Sequence, residues 1–225
     1  MIILSARVLL AILQLILVRL LTEILTKDDL GSYYLILSTM SIFTMFLVNP
    51  FNLYAQKEAH KLNNEQKMKS FLNNYYFYMI IVVLISFIII YFANYFYNLD
   101  TELIVALILF QSLAINLPFL IDYIGYRKTY VFLAVGNLLI YILLIFISSV
   151  DTYKDIILLL IFSSFLTTFL SIAILYSRVY TQKVKYKFDK KKIFDFSIPM
   201  MLALLISWAD INGIRFIIEY FDSLE

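Results

Sequence analysis

Long apolar segments alternate with short polar segments along the whole chain. Seven of the apolar segments are long enough to cross a membrane as helices, since about 20 residues rising 1.5 Å each cover about 30 Å of hydrocarbon. They are residues 2–22, 31–54, 75–97, 103–124, 130–150, 156–177 and 196–221. Their apolar runs do not alternate as barrel strands do, and a single segment can satisfy its backbone in lipid only as a helix. The pattern predicts an all-α, polytopic integral membrane protein with about seven transmembrane helices.

The positive charges fall in every second connection between these segments. Thirteen of the 18 Lys and Arg residues lie in three connections, residues 55–74, 125–130 and 177–195. The three intervening connections hold only two Lys, together with seven acids. Short loops rich in Lys and Arg stay on the cytoplasmic side of a membrane. The alternation therefore predicts a multi-pass protein of the cytoplasmic membrane whose N-terminus is cytoplasmic.

Composition supports the membrane prediction and narrows the chemistry. Apolar residues make up 63% of the 225 residues, compared with about 45–50% in soluble domains. The chain has no Cys and a single histidine, His60, which excludes disulfides, thiolate metal sites and thiol nucleophiles. Neither a glycine-rich phosphate loop nor a metal-ligand cluster is present, and the basic connections offer few aromatics for stacking on bases. We therefore predict no enzymatic activity, no cofactor, no metal site and no binding of nucleic acid.

A short sequence pattern that occurs twice, here called the echo, suggests how the helices are organised. Val18 to Leu25 and Ile214 to Phe221 both follow the pattern apolar-Arg-apolar-apolar-x-Glu-apolar-apolar. Six spans separate the copies, so both lie on one side of the membrane, as in two parallel repeats related by an axis along the membrane normal. We predict a six-helix N-terminal lobe over residues 1–180, a basic cytoplasmic linker over 181–195, and the first helix of a truncated second lobe over 196–225. The rest of that second lobe is expected to follow residue 225.

The basic stretch from Arg178 to Lys192 has two interpretations. It is either a solvated linker, which we favour, or an amphipathic segment on the inner leaflet. In the second case Phe188, Ile193 and Phe194 would be its apolar contacts with lipid. Both interpretations keep the stretch at the cytoplasmic surface.

Polar residues inside the predicted spans are the candidate functional residues, because a charge at the bilayer centre costs about 2.5–3.5 kcal/mol on insertion scales. Arg7 and Gln14 share one face of the first helix, where they face a cavity or another helix unless Arg7 reaches to the nearby inner interface. Gln111 and Asp122 share a face of the fourth helix with Pro118. This face lines a water-filled path, unless Asp122 simply pairs with Arg127.

Three further candidates lie in the first and seventh spans. Arg19 with Glu23, and Arg215 with Glu219, have the spacing of ion pairs on one helix face. The alternative is an anion-attracting ring at the outer mouth. Asp210 follows Trp208 in the middle of the seventh span and needs a partner or a proton at that depth. The predicted substrate-pathway residues are Arg7, Gln14, Arg19, Gln111, Asp122, Asp210 and Arg215.

Several short motifs resemble those of bacterial polysaccharide exporters. The run from Arg19 to Tyr33 is similar to their first outer loop, where an Arg leaves helix one and an acidic turn precedes Gly-x-Tyr. The run Asn49-Pro50, Tyr54, Lys57 and His60 is similar to the end of helix two in O-antigen flippases of the multidrug/oligosaccharidyl-lipid/polysaccharide exporter superfamily. Ser197-Ile198-Pro199, with Trp208 and Arg215-Phe216, resembles the start of their second lobe. The chain departs from that pattern at Ile214, where Asp is frequent, and at Asn52, where Gly is common.

The resemblance implies two six-helix bundles facing a central cavity. It implies transport of a polyprenyl-pyrophosphate-linked oligosaccharide from the inner to the outer leaflet of the bacterial cytoplasmic membrane, for surface polysaccharide biosynthesis. The implied partners are membrane lipid, the lipid-linked oligosaccharide, and a polysaccharide polymerase with its chain-length machinery. Two alternatives are a drug/cation antiporter of the same fold, using Asp122 or Asp210, and a membrane-embedded glycan polymerase or acyltransferase.

Overall fold

The structure is a computed structural model in which every regular element of the described part is helical. The backbone is described for residues 2–97, 100–148, 150–186 and 189–222, and the side chains of these residues except 2–4, 6, 93–97, 190 and 211–222. The helices are α1 (Ile2–Ile24), α2 (Lys27–Phe43), α3 (Asn49–Asn64), α4 (Met68–Tyr97), α5 (Thr101–Tyr123), α6 (Arg127–Ile147), α7 (Tyr153–Val179) and α8 (Lys190–Asp222).

Each predicted span coincides with a helix. A π-helical turn, Thr44–Val48, joins α2 and α3 into one continuous helix, Lys27–Asn64. Within the described residues, this helix and α4 to α8 give six helices that are long and apolar enough to cross a membrane. The helix α1 is not among the six, and the side chains of its residues 2–4 and 6 lie outside the described part. The predicted all-helical, polytopic membrane protein is confirmed.

The basic connection over residues 55–74 is not the loop that the charge pattern suggested. The helix α3 continues to Asn64 and α4 begins at Met68. Ala59 and Leu62 are buried, so the α3 part of this stretch is amphipathic, and its apolar face packs on the protein while Lys57 and Lys61 are exposed. The direction of the chain reverses only at residues 65–67, where Gln66 adopts a positive φ of 56°.

The π-helical turn follows from Pro50. Proline has no N–H and its ring clashes with the carbonyl four residues earlier, so the regular hydrogen-bond ladder cannot pass through it. The N–H of Asn49 instead donates to the Thr44 carbonyl, which is the five-residue spacing of a π-helix. From α4, the Tyr78 hydroxyl donates to the Leu47 carbonyl at 2.7 Å. The turn therefore rotates the side chains of α3 about the helix axis relative to those of α2.

The helix α5 lies at the centre and packs against α2, α3, α4, α6 and α7. Buried apolar side chains form two clusters in the described part of the chain. One cluster is at the basic end, which we define as the end that holds the turns at residues 65–67 and 124–126. The other is at the acidic end, which holds the connections at Thr26, Asp100 and Thr152. The clusters fix both ends of the bundle.

Side chains at the acidic end hold the connections by capping and cross-linking. The Thr152 side chain and the Asp155 carboxylate form a capping box at the start of α7, which satisfies backbone N–H groups that the helix leaves free. Asp100 accepts hydrogen bonds from the Tyr153 hydroxyl and the Lys154 ammonium, each at 2.8 Å. Burial raises the pKa of Asp100, but these two hydrogen bonds outweigh it and leave the pKa below its ordinary value.

Candidate functional site

Two polar residues of α1 remain uncovered by the rest of the bundle. Arg7 and Gln14 are both exposed, whereas Leu13, Leu20 and Leu21 of the same helix are buried in the cluster at the acidic end. Leu21 lies seven residues after Gln14 on the same helical face and is buried, so this face is covered near Leu21 and uncovered at Arg7 and Gln14. A guanidinium and an amide on such a face can donate hydrogen bonds to an anion.

Asp122, predicted to line a path, lies in a small charged group at the basic end. Its carboxylate accepts a hydrogen bond from Arg127 Nε at 3.3 Å, and its side chain is 22% exposed. Asp122 and Arg7 both lie close enough to the Tyr130 hydroxyl to act on it electrostatically. The ion pair with the neighbouring turn, which was the simpler interpretation of Asp122, is present.

Gln111 and the Phe110 carbonyl of α5 accept hydrogen bonds within its interface with α7. The buried Ser164 hydroxyl donates to Gln111 Oε1, and the Thr168 hydroxyl donates to the Phe110 carbonyl at 3.2 Å. Sequence reasoning overlooked the matching stripe on α7, whose members recur on one helical face. They are Ser163, Ser164, Thr167, Thr168 and Ser171, all buried. Small hydroxyl residues of this kind let two membrane helices approach closely.

Two further candidates lie near the ends of their helices. Arg19 Nε donates to Glu23 Oε1 at 2.9 Å, and the Arg19 side chain is 82% exposed. The ion pair predicted from the spacing is therefore present for the first copy of the echo. For the second copy, the side chains of Arg215 and Glu219 lie outside the described residues.

Asp210 lies on α8 and is exposed. Two residues earlier, Trp208 Nε1 donates to the Ser41 hydroxyl of α2 at 2.8 Å, which ties the two helices together. The helix α8 packs on α2, on the π-helical turn and on α3. Asp210 therefore lies exposed on a helix that is fixed to α2 through Trp208.

The segment over residues 180–186, here named the strap, hydrogen-bonds to the α3–α4 turn, and most of its side chains are exposed. Gln182 accepts a hydrogen bond from the Lys69 backbone N–H at 3.3 Å and donates to Asn63 Oδ1 at 2.9 Å. The Tyr186 N–H donates to the Ser70 hydroxyl at 3.0 Å. The strap is therefore held to the α3–α4 turn through Gln182 and Tyr186, and the linker over residues 181–195 stays a prediction.

The start of α8 is also bound to α3. The helix begins at Lys190, inside the predicted linker of residues 181–195. Lys192 Nζ donates to Glu58 Oε1 at 3.3 Å, and Ile193 is buried in the cluster at the basic end. Ile193, expected to contact lipid in the alternative interpretation, therefore packs on protein, whereas Phe194 is exposed and Phe188 lies outside the described residues.

Two titratable groups near the strap have shifted pKa values. Burial raises the pKa of Tyr186 well above its ordinary value, so its hydroxyl stays protonated and remains 3.3 Å from the Tyr54 hydroxyl. The hydrogen bond from Lys67 lowers the pKa of Glu65, which keeps this carboxylate charged beside Lys61 and Lys67. The Glu65 ion pairs are therefore kept across the physiological pH range.

Comparison with known proteins gives one match. The model of the family described as polysaccharide biosynthesis protein matches residues 1–225. Neither a curated protein nor a solved structure matches the chain significantly. The family match covers every helix described above, together with the strap and the uncovered faces of α1 and α8. This helical, multi-pass membrane protein therefore belongs to the polysaccharide biosynthesis protein family.

Proposed function

We propose that the protein moves a polyprenyl-pyrophosphate-linked oligosaccharide across the bacterial cytoplasmic membrane by alternating access. The observation that carries the proposal is the family match over residues 1–225, on a chain with six described helices able to span a membrane. Polysaccharide biosynthesis needs its lipid-linked units delivered to the outer leaflet, and a polytopic helical protein is suited to that step. Transport, rather than catalysis, is then its contribution to the biosynthesis.

The uncovered face of α1 supports this proposal. Transfer of a pyrophosphate through a medium of low dielectric is strongly unfavourable unless cations accompany it. Arg7 and Gln14 are exposed on α1 and supply donors that a pyrophosphate oxygen accepts. The polyprenyl chain stays in the hydrocarbon during the transfer, so only the headgroup needs a polar path.

A drug/cation antiporter of the same fold is the second candidate. It would use acidic residues as proton or Na⁺ sites, and Asp210 is exposed on α8. Asp122 suits this function less well, because Arg127 already neutralises it at 3.3 Å. Measurement of resistance to cationic drugs separates the two candidates, since an oligosaccharide exporter is expected to leave resistance unchanged.

Complementation tests the proposed function. The complete gene, expressed in a strain that lacks its own exporter of lipid-linked oligosaccharide units, is expected to restore surface polysaccharide. It is also expected to lower the inner-leaflet pool of the lipid-linked intermediate, measured by enzymatic labelling of everted and intact vesicles. Unchanged surface polysaccharide, at a normal membrane level of the protein, would contradict the proposal.

We further propose that the basic end faces the cytoplasm, as the charge pattern predicts. Because the chain has no Cys, single Cys substitutions can be labelled without background. Asn64→Cys at the basic end is expected to resist a membrane-impermeant maleimide in intact cells, and Asp151→Cys at the acidic end to react. Both positions are exposed, so burial does not explain a difference. Labelling of Asn64→Cys from outside would reverse the topology.

A further inference from the structure

A polar cleft lies where the strap crosses the start of α4. It has a volume of about 360 Å³ and is lined by Lys69, Ser70, Asn73, Gln182, Lys183, Val184 and Lys185. Three of its lining residues are lysines, and none is an acid. The cleft is therefore a concave surface with a single sign of charge, and it shares no residue with the predicted substrate pathway.

The hydrogen bonds of the strap hold the cleft open and leave several donors unused. Gln182 is occupied on both sides by Lys69 and Asn63. The Ser70 hydroxyl accepts from the Tyr186 N–H, so its own proton remains available. The oxygen of the Asn73 amide accepts from the Tyr176 hydroxyl, which leaves its NH₂ group as a donor.

Lys183 and Lys185 complete the set of donors. Both are exposed, and neither forms an ion pair with a described residue. Lys69 has a structural role instead, because its ammonium donates to the Tyr180 carbonyl at 3.2 Å and lies over the Tyr180 ring. Two ammonium groups, a hydroxyl and an amide thus surround one concave space, and the N-terminus of α4 adds a partial positive charge there.

The cleft lies at the depth of lipid headgroups. The apolar part of α4 begins near Tyr75, so residues 69–73 lie about 3–9 Å beyond the hydrocarbon at 1.5 Å per residue. The interfacial layer is about 5–7 Å thick on each side of the bilayer. Tyr76 stacks on Tyr176 at 6.2 Å between ring centroids, and Tyr180 is 70% exposed, which matches the aromatic residues found at this depth.

We propose that this cleft binds a phosphate group at the membrane surface, held by Lys183, Lys185, Ser70 and Asn73. Ammonium, hydroxyl and amide donors are the groups that recognise phosphate oxygens. The phosphate belongs either to an anionic phospholipid of the same leaflet or to a soluble phosphorylated molecule. The site is separate from the exported substrate, so it holds whether or not the proposed transport is correct.

Chemical modification of individual lysines tests the site. The purified full chain is placed in nanodiscs of phosphatidylcholine alone or with phosphatidylglycerol, and treated with an amine-acetylating reagent. Modification of Lys183 and Lys185, measured by mass spectrometry, is expected to slow about threefold or more when the site is filled. Lys128 and Lys191, exposed outside the cleft, serve as internal controls and are expected to change much less.

A pair of matched variants shows whether the cleft itself is responsible. Asn73→Asp places a negative charge among the donors and is expected to abolish the protection of Lys183 and Lys185. Asn64→Asp, the same change at an exposed position outside the cleft, is expected to leave the protection intact.

Inorganic pyrophosphate distinguishes the two sources of the phosphate. If phosphatidylglycerol protects Lys183 and Lys185, and added pyrophosphate does not increase that protection, the phosphate belongs to a lipid headgroup. Protection by pyrophosphate in discs of phosphatidylcholine alone identifies a soluble phosphorylated ligand. Equal protection of all four lysines would overturn the proposal, because it would show only an effect of general surface charge. The absence of protection by both phosphatidylglycerol and pyrophosphate would also overturn it.

Discussion

Replacement of Arg7 with Ala is expected to reduce export of the lipid-linked oligosaccharide by about tenfold or more. Hydrogen bonds to charged groups contribute about 1.5–3 kcal/mol, and each 1.4 kcal/mol corresponds to a factor of about ten. Arg7 is exposed on α1, beside Gln14, and forms no ion pair with the described acids. Its charge therefore remains available to a pyrophosphate. The rate of appearance of the oligosaccharide in the outer leaflet, divided by the membrane level of the protein, measures the effect.

Arg19 provides the matched control on the same helix. Its guanidinium is already paired with Glu23 at 2.9 Å and is 82% exposed, so Arg19→Ala is expected to change export by about twofold or less. Arg7→Lys keeps the charge but loses the planar fork of donors, so its export rate is expected to lie between those of Arg7→Ala and Arg19→Ala. Normal export by Arg7→Ala would rule out a role for this cation.

Replacement of Tyr75 with Phe is expected to lower the free energy of unfolding by about 1–3 kcal/mol, although only one oxygen atom is removed. Tyr75 is completely buried and donates a hydrogen bond to Asn52 Oδ1. Asn52 is itself 3% exposed, and its NH₂ group has no partner among the described residues. Without the hydroxyl, the whole amide would be unsatisfied in the core. Unfolding of the purified protein in mixed micelles with increasing denaturing detergent measures the loss.

A second substitution distinguishes the lost hydrogen bond from a change in packing. Asn52→Leu alone leaves the Tyr75 hydroxyl without its acceptor and is expected to destabilise by a similar amount. In the double variant both polar groups are gone, so most of the stability is expected to return. Tyr91→Phe is the control, because Tyr91 lies on the same helix and is 63% exposed. Simple addition of the two losses in the double variant would contradict this explanation.

The helices were predictable because membrane length is a property of local sequence. A window of about 20 apolar residues has essentially one stable structure in lipid, and each predicted span contains a helix. The criterion of apolar length did not predict the helical structure within residues 55–74, since apolar content falls where a helix leaves the hydrocarbon. There the relevant signal is periodicity. Ala55, Ala59 and Leu62 recur on one face, which is buried, whereas Lys57 and Lys61 are exposed.

The docking of the strap was not predictable from its own residues. Gln182 and Tyr186 are ordinary polar residues in a basic segment, and their partners lie 113–119 positions away. Hydrogen bonds across such a separation depend on how α3, α4 and α7 pack, and nothing in the local composition encodes that. Solvation and docking were equally compatible with the charge pattern.

The contacts of some candidate site residues could be predicted from the sequence alone, and those of others could not. The pairs that form within one helix turn, such as Arg19 with Glu23, follow from spacing alone. Asp122 had two interpretations, as a residue lining a water-filled path or as a partner of Arg127, and the turn around Gly125, with φ of 101°, brings Arg127 to 3.3 Å. Gln111 required knowledge of the neighbouring helix, because its partner Ser164 lies on α7.

The continuous helix Lys27–Asn64 has 38 residues, which corresponds to a rod of about 57 Å at 1.5 Å per residue. Such a rod exceeds the hydrocarbon thickness by almost a factor of two, so it extends beyond the hydrocarbon. Its projecting end carries Glu58, which is bound to Lys192 at the start of α8. A tilt of about ten degrees around the acidic end would displace that tip by about 10 Å for a rod with this rise per residue. Because Ala55, Ala59 and Leu62 near that tip are buried in the cluster at the basic end, such a tilt would have to move the helices packed on α3 as well.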